Sequence, residues 1–211
     1  MNSPVVSKKV WLKERMALLR REKAVTRELD LLAIERRKLP WVEIENSYDF
    51  DVPEGKRTLS ELFEHHSQLI VYHFMFGPEW SAPCDGCSGW ADACNGTLDQ
   101  IQLHDAKLIF VSRAPLGEIE EVRKSNGWNF TWASSFNSEF NFDFNMSASI
   151  DCKSVTVADE VITYDRGESG GISVFAKDGH RIFHTYSCYN RGIQQMNGAF
   201  GYVDLLPFGG N

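Results

Sequence analysis

The sequence has no apolar run near the ~20 residues that a membrane-spanning helix requires. Its first fifteen residues, MNSPVVSKKVWLKER, contain no stretch resembling the apolar core of a secretory signal. Both absences point to an intracellular, cytoplasmic protein with no membrane partner. Cysteine is scarce as well: five in 211 residues. An odd count does not suit a secreted disulfide framework, and a reducing compartment would keep unreactive cysteines as thiols. Excess positive charge is also missing. A net charge of −7 argues against nonspecific binding to nucleic acid. No internal repeat occurs.

What is present is the composition of a globular chain. Hydrophobic residues make up 43% and aromatics 12%, too much for a disordered polymer. The charge is uneven: up to Lys38 there are 11 Lys/Arg against 5 Asp/Glu, and beyond it 11 against 24. A basic leading segment therefore precedes an acidic body, which divides the chain into a helical extension, 1–40, and a domain, 41–211. Ser7 to Lys38 reads as one helix, with Trp11, Met16, Leu19, Leu29, Leu32 and Ile34 interleaved with charge, no Gly or Pro inside, and Pro40 just beyond. Its basic side chains form a solvated face. Its apolar stripe needs a partner, either the body or a second copy of the chain.

In the body, Ser67–Phe76 is almost continuously apolar, as befits a strand buried on both faces. A helix is expected from about Cys87 to His104, then a second buried strand, AKLIFVSRA, and a helix with Pro115 near its start and Gly127 past its end. Strand–helix–strand–helix implies a parallel crossover. The stretch GISVFAKDGHRIFHTYSCY gives two strands around Lys177-Asp178-Gly179, and a last helix is expected over about Gly192–Phe200. Trp41 to Phe63 reads as a short strand, a turn and a helical turn from Leu59, and Thr131 to Ser169 as an ordered loop with a short strand. The layout is that of an α/β protein, a thioredoxin-like three-layer sandwich with a long N-terminal helical extension.

The chemistry concentrates at FGPEWSAPCDGCSGW, where Cys84 and Cys87 stand three apart at the end of a buried strand and the start of a helix. A sulfur there faces unpaired backbone N–H groups and the positive end of the helix dipole, both of which favour thiolate. The spacing permits a small disulfide ring, with Cys84 exposed to attack a substrate disulfide and Cys87 deeper to resolve the mixed disulfide. Asp85 opposes thiolate formation and moderates the effect. Structural zinc is one rival, but it needs four ligands, and Cys94, Cys152 and Cys188 are scattered with no histidine at matching spacing. Two unreactive buried cysteines are the other. Arg113 falls at the strand edge that also carries Cys84, where it would supply positive charge or act as an ordinary surface residue. Trp80 would wall the dithiol or belong to the core. His73 and His184 read as structural, and His65-His66 has no partner pair.

Several blocks together resemble a known family: LIVYHFMFGPEW (69–80), CDGCSGWAD (84–92), VSRAPL (111–116), the aromatic run from Gly127 to Phe144, SVFAKDG (173–179), FHTYSCYNRG (183–192) and DLLPFG (204–209). They resemble a largely bacterial, thioredoxin-like family catalogued as a domain of unknown function and described as predicted dithiol–disulfide oxidoreductases. The resemblance spans essentially the whole chain and implies a thioredoxin fold with the dithiol at Cys84 and Cys87. Two departures from better-known relatives stand out. Thioredoxins carry a cis-proline just before the hairpin, where this chain has about Gly171. Peroxiredoxins carry Pro-x-x-x-Thr-x-x-Cys, whereas Ser81 takes the threonine-like place and Pro78 lies six rather than seven residues before Cys84.

The function expected is thiol–disulfide exchange without metal or organic cofactor. The partners are a protein or small-molecule disulfide and a cellular thiol reductant. A thiol peroxidase is the alternative within enzymes. A non-enzymatic scaffold that binds a partner, or a second copy, through the N-terminal helix is the alternative outside them.

Overall fold

The structure, a computed structural model, describes residues 4–203 and 205–207. It separates into two units, Met1–Pro40 and Trp41–Asn211. The first is essentially one helix, α1 (Lys8–Arg36), whose N-cap Ser7 accepts a hydrogen bond from the Val10 N–H. Its helix-forming residues explain its length, and none of them is buried. Although α1 runs to 29 residues, its charges rule it out as a membrane span. Among the described residues no helix is long and apolar enough to cross a membrane.

The second unit follows in chain order. Three short strands come first: β1 (Val42–Glu43), β2 (Asp49–Val52) and β3 (Gly55–Thr58). The turn Pro53-Glu54-Gly55 folds β2 back onto β3, and Gly55 takes a φ of 119° that other residues avoid. Thr58 and Glu61 form a reciprocal capping box at the start of α2 (Leu59–Leu62). Next come β4 (Gln68–His73), α3 (Asp85–Asn95), α4 (Leu98–Gln102), β5 (Ala106–Ser112), α5 (Leu116–Ser125) and β6 (Thr131–Ser134). Then follow α6 (Phe140–Asp143), the hairpin β7 (Ser154–Val157) and β8 (Glu160–Thr163), and the long hairpin β9 (Gly171–Asp178) and β10 (Arg181–Tyr189). A 3-10 segment, Asn190–Met196, and α7 (Gly198–Val203) end the described chain.

Eight strands make one sheet in the order β1-β10-β9-β4-β5-β6-β2-β3. Within it β4, β5 and β6 run parallel, and β9 is antiparallel to β4. Alternation along β4 and β5 splits the core in two. Tyr72, Leu108 and Phe110 face a cluster under α3 and α5 that is rich in aromatic rings, with Trp90, Trp128, Phe130 and Trp132. Leu69, Val71, Ile109 and Val111 face the other cluster, with Phe50, Phe63, Phe140 and Phe175. Both faces of the central strands are thus covered, which is why they read as continuous apolar runs. Each large side chain fully buried in this way contributes about 1.5–3 kcal/mol.

The α/β three-layer, thioredoxin-like architecture read from the sequence is therefore the one observed. Four local readings need correction, the first being the single short strand expected between Trp41 and Phe63, where β1, β2 and β3 all occur before α2. The helix expected over Cys87–His104 starts earlier, at Asp85, and breaks at Gly96-Thr97, where the Thr97 N–H and hydroxyl both bond the Cys94 carbonyl at 2.8 Å. The supposed loop from Thr131 to Ser169 holds β6, α6 and the β7–β8 hairpin. The last helix begins at Gly198, after a 3-10 turn, rather than near Gly192. Of the block 204–209, residues 204, 208 and 209 lie outside the described residues.

Candidate functional site

The chain leaves β4 through Phe74–Gly77, loops through Pro78–Pro83 and enters α3 at Cys84. Cys84 is the N-cap: its backbone is extended (φ −65°, ψ 126°) and its side chain caps no N–H. The backbone is fixed on both sides, because its N–H donates to the Met75 carbonyl at 3.1 Å and its C=O accepts from the Ser88 N–H at 2.9 Å. The sulfur is therefore held at the open, positive end of an eleven-residue helix.

Cys84 is half-buried and Cys87, one turn on, is buried; both are free thiols. The Cys87 thiol donates to the Cys84 sulfur, and this pulls the Cys84 pKa down to about 6. The backbone N–H groups of Cys87 and Gly86 act in the same direction, while burial and the Asp85 charge oppose. Gly86 keeps this approach clear: a Cβ there would stand 3.7 Å from the Cys84 sulfur. Cys87 shifts the other way, raised well above an ordinary thiol by its bond to Cys84 and by burial. One sulfur is thus prepared to be thiolate, and its neighbour holds a proton.

A third group completes the arrangement. The Tyr72 hydroxyl donates to the Cys87 sulfur, and burial together with the neighbouring sulfurs raises its own pKa. The Tyr72 ring stacks on Trp90 at 4.1 Å with planes 9° apart, which fixes the phenol. A relay results: Tyr72 O–H to Cys87 S–H to Cys84 S⁻. Sequence reasoning missed Tyr72. The only signal was its place in the alternation of β4, on the face toward α3. The sulfurs open on a cleft of about 360 Å³, lined in part by Met75, Trp90, Tyr164, Gly170 and Ile193.

The other residues singled out from the sequence lie elsewhere. Arg113 is committed to Glu168, a 3.0 Å ion pair, and its guanidinium lies over the Phe142 ring at 4.3 Å. Glu168 is buried and also accepts from the Ser147 hydroxyl at 2.8 Å, yet burial outweighs both partners and raises its pKa to about 7. Trp80 is buried in the aromatic core with the Arg166 guanidinium stacked on it at 3.8 Å, and it lines a separate cleft with Arg113 and Glu168. Ser81 is exposed on yet another surface, beside Glu118 and Glu121. Gly171 sits inside the sheet opposite Tyr189, where a Cβ would meet the Cys188 carbonyl at 2.8 Å. The glycine beside the dithiol is the preceding one, Gly170, whose added Cβ would stand 3.8 Å from the Cys87 sulfur.

Cys94 is buried two turns along α3, and burial alone raises its pKa to about 12. Cys188 is buried in β10 opposite Ile172, and Cys152 lies near the β7–β8 hairpin. His73 is fully buried with its pKa driven down to about 3. Its Nε2 bonds the Ser173 hydroxyl at 2.9 Å, Ser173 meets Ser187 at 3.1 Å, and Ser187 meets the His184 Nε2 at 2.7 Å. This chain of polar groups lies on the sheet face away from the dithiol and is structural. Glu64, His65 and His66 bring ligand atoms within 4.8 Å of one another, but the Lys107 ammonium already holds Glu64 at 2.6 Å. Among the described residues that trio is the one group able to hold a metal ion, and the dithiol is not part of it.

The sequence matches, over residues 1–211, the family described as bacterial protein of unknown function (DUF899), and the chain belongs to that family. No curated protein is similar in sequence. Among solved structures, a cysteine-to-serine mutant of peroxiredoxin Q from Xanthomonas campestris is similar at a TM-score of 0.50 and 16% identity, covering 73% of this chain and 90% of that one. A second structure of the same protein gives 0.50 and 16%, over 72% and 87%. A mutant of PrxQ from Xylella fastidiosa gives 0.49 and 13%, over 74% and 88%. At such identities the likeness is one of fold.

Proposed function

Starting from a family whose function is open, we propose that this protein is a thiol–disulfide oxidoreductase that cycles Cys84 and Cys87 between dithiol and disulfide. The observation that carries the reading is the sulfur pair itself: two cysteines in one helical turn, hydrogen-bonded to each other, with opposite pKa shifts. The Cys84 thiolate attacks one sulfur of a substrate disulfide and expels the other as a thiolate. Cys87 passes its proton outward, attacks the Cys84 sulfur and expels the second substrate thiol. The Cys84–Cys87 disulfide that remains is returned to dithiol by a cellular thiol reductant, and the cycle draws on no metal or organic cofactor. Tyr72 touches the resolving sulfur and steadies it as it gains negative charge.

Peroxide reduction at Cys84 is the nearest alternative, and a thiolate at a helix N-terminus suits it as well. Splitting an O–O bond calls for donors aimed at the peroxide oxygens. Arg113 is paired with Glu168 and Ser81 faces a separate surface, so at Cys84 those donors would be the Gly86 and Cys87 N–H groups.

The test is equilibration of the purified protein with glutathione redox buffers, trapping of free thiols at each poise, and location of the bond by mass spectrometry. A reversible Cys84–Cys87 disulfide is the expected result. A potential near about −270 mV would make the protein a reductant, and one near about −120 mV an oxidant. Thiols that never pair, or peroxide turnover that survives Cys87→Ser with no disulfide exchange, would overturn the reading.

A further inference from the structure

The main chain beside the dithiol has little left to offer a polypeptide. An extended peptide docks on a fold by pairing its backbone with unused N–H and C=O groups. The nearest such run is Glu168–Gly170, and four of its six groups are taken, which leaves the Ser169 C=O and the Gly170 N–H, too few for an extended run. Asp165 and Glu168 exchange N–H and C=O in two bonds of 2.9 Å, the Ser169 N–H donates to the Met146 carbonyl at 2.8 Å, and the Gly170 carbonyl accepts from the Asn190 N–H at 3.3 Å. On the opposite wall, the N–H and C=O of Cys84 are bonded to Met75 and Ser88.

Another part of the cleft wall is held in place as well. Thr163, Tyr164 and Asp165, where the chain leaves β8, line it together with Asn190 and Ile193. These residues are tied down: the Tyr164 hydroxyl donates to the Asn145 carbonyl at 2.9 Å, and the Asn190 side-chain amide to the Val161 carbonyl at 2.8 Å. What remains is a cleft of about 360 Å³. That is at the small end of the roughly 300–1,000 Å³ typical of small-molecule sites. Met75, Trp90 and Ile193 give it apolar walls. Apart from the dithiol, Asp165 is the one carboxylate in its lining, which holds no Lys, Arg or His; Arg166, 3.6 Å from that carboxylate, is not part of the lining. An anionic substrate would meet both Asp165 and the Cys84 thiolate.

We propose that the substrate is a small, uncharged disulfide bearing an apolar or aromatic group, rather than a protein disulfide or an anionic one. The inference rests on the dithiol reading above. One S–S bond of the substrate breaks, its two sulfurs leave as two thiols, and the Cys84–Cys87 bond forms in exchange. The two electrons that reduce the substrate come from the dithiol, which a cellular thiol reductant later restores.

The test uses single-turnover oxidation of the fully reduced, full-length protein, quenched with acid and alkylated to count the Cys84–Cys87 disulfide. Four probes are compared: dithiodipropionyl disulfides ending in benzylamide, methylamide or free carboxylate, and insulin. Each rate is divided by that of mercaptoethanol with the same disulfide, which removes intrinsic reactivity. The benzylamide is expected to lead the methylamide and the carboxylate by about tenfold or more, with insulin slowest. Ile193→Asn, which makes one wall polar, is expected to erase the benzylamide lead. Equal normalised rates, or insulin or the carboxylate in front, would overturn the inference and leave the dithiol reading intact. If no probe produces the Cys84–Cys87 bond, the dithiol reading itself fails and this inference falls with it.

Discussion

Replacing Cys87 by alanine tests the relation between the two sulfurs directly. In the native site the Cys87 thiol is the foremost cause of the lowered Cys84 pKa, ahead of the helix backbone N–H groups, and burial opposes all of them. A hydrogen bond to a charged group is worth about 1.5–3 kcal/mol, or roughly one to two pKa units. Removing it therefore moves the Cys84 midpoint from about 6 up by at least about one unit, toward an ordinary thiol. At neutral pH the thiolate fraction then falls from about nine-tenths to about half or less. Thiolate absorbance and iodoacetamide alkylation, each followed against pH, read this midpoint independently. Cys87→Ser keeps a donor at the same place and should fall between the native protein and Cys87→Ala. The reasoning fails if both variants titrate with the native midpoint, because the helix terminus alone would then account for the thiolate.

Three further outcomes are expected. Gly171→Ala forces a Cβ to within 2.8 Å of the Cys188 carbonyl and the Met146 side chain, whereas Gly170→Ala makes only contacts of 3.7–3.8 Å. Urea denaturation should show the first losing about 1–3 kcal/mol and the second much less, and equal losses would contradict the packing. Glu168 is held neutral to about pH 7 by burial, so the folded state binds the proton more tightly than the unfolded chain does. Its contribution is fully present below the ordinary carboxyl pKa and is lost as pH rises toward 7, by about 3 kcal/mol at most. Glu168→Gln should remove that slope from a stability profile taken between pH 4.5 and 7. Finally, both apolar clusters lie within residues 44–193, so a chain of residues 41–211 should melt cooperatively and keep the low Cys84 midpoint. Residues Trp11, Met16 and Leu32 of α1 are 54%, 50% and 43% exposed. Sedimentation should accordingly find the full-length chain self-associated and the shortened one monomeric.

The sequence disclosed the parts of this site that rest on local chemistry. A buried strand running into Cys-x-x-Cys and a helix fixes where the sulfurs sit relative to backbone N–H groups, and no distant contact is needed to see it. Buried runs at 67–76 and 106–114 likewise declare strands covered on both faces. Tyr72 was hidden because, in a run where nearly every residue is buried, nothing local says which one touches sulfur. Arg113 was misplaced because its partner, Glu168, is 55 residues away and arrives through a segment with no periodicity. The β7–β8 hairpin escaped notice for a different reason: its turn uses Ala158 and Asp159 at positive φ, not the Asn-Gly pair that usually announces such a turn.

The stacking of Trp90 on Tyr72 has a practical consequence. Of the six tryptophans, it is Trp90 that lines the cleft holding both sulfurs, on a ring whose hydroxyl is bonded to one of them. Converting two thiols into a disulfide changes the charge and the quenching groups next to that indole, while Trp41, beside edge strand β1, does not line the cleft. Trp90 is therefore the built-in optical probe for the proposed dithiol–disulfide change. On the proposed cycle, its emission would follow the pair in solution without a label.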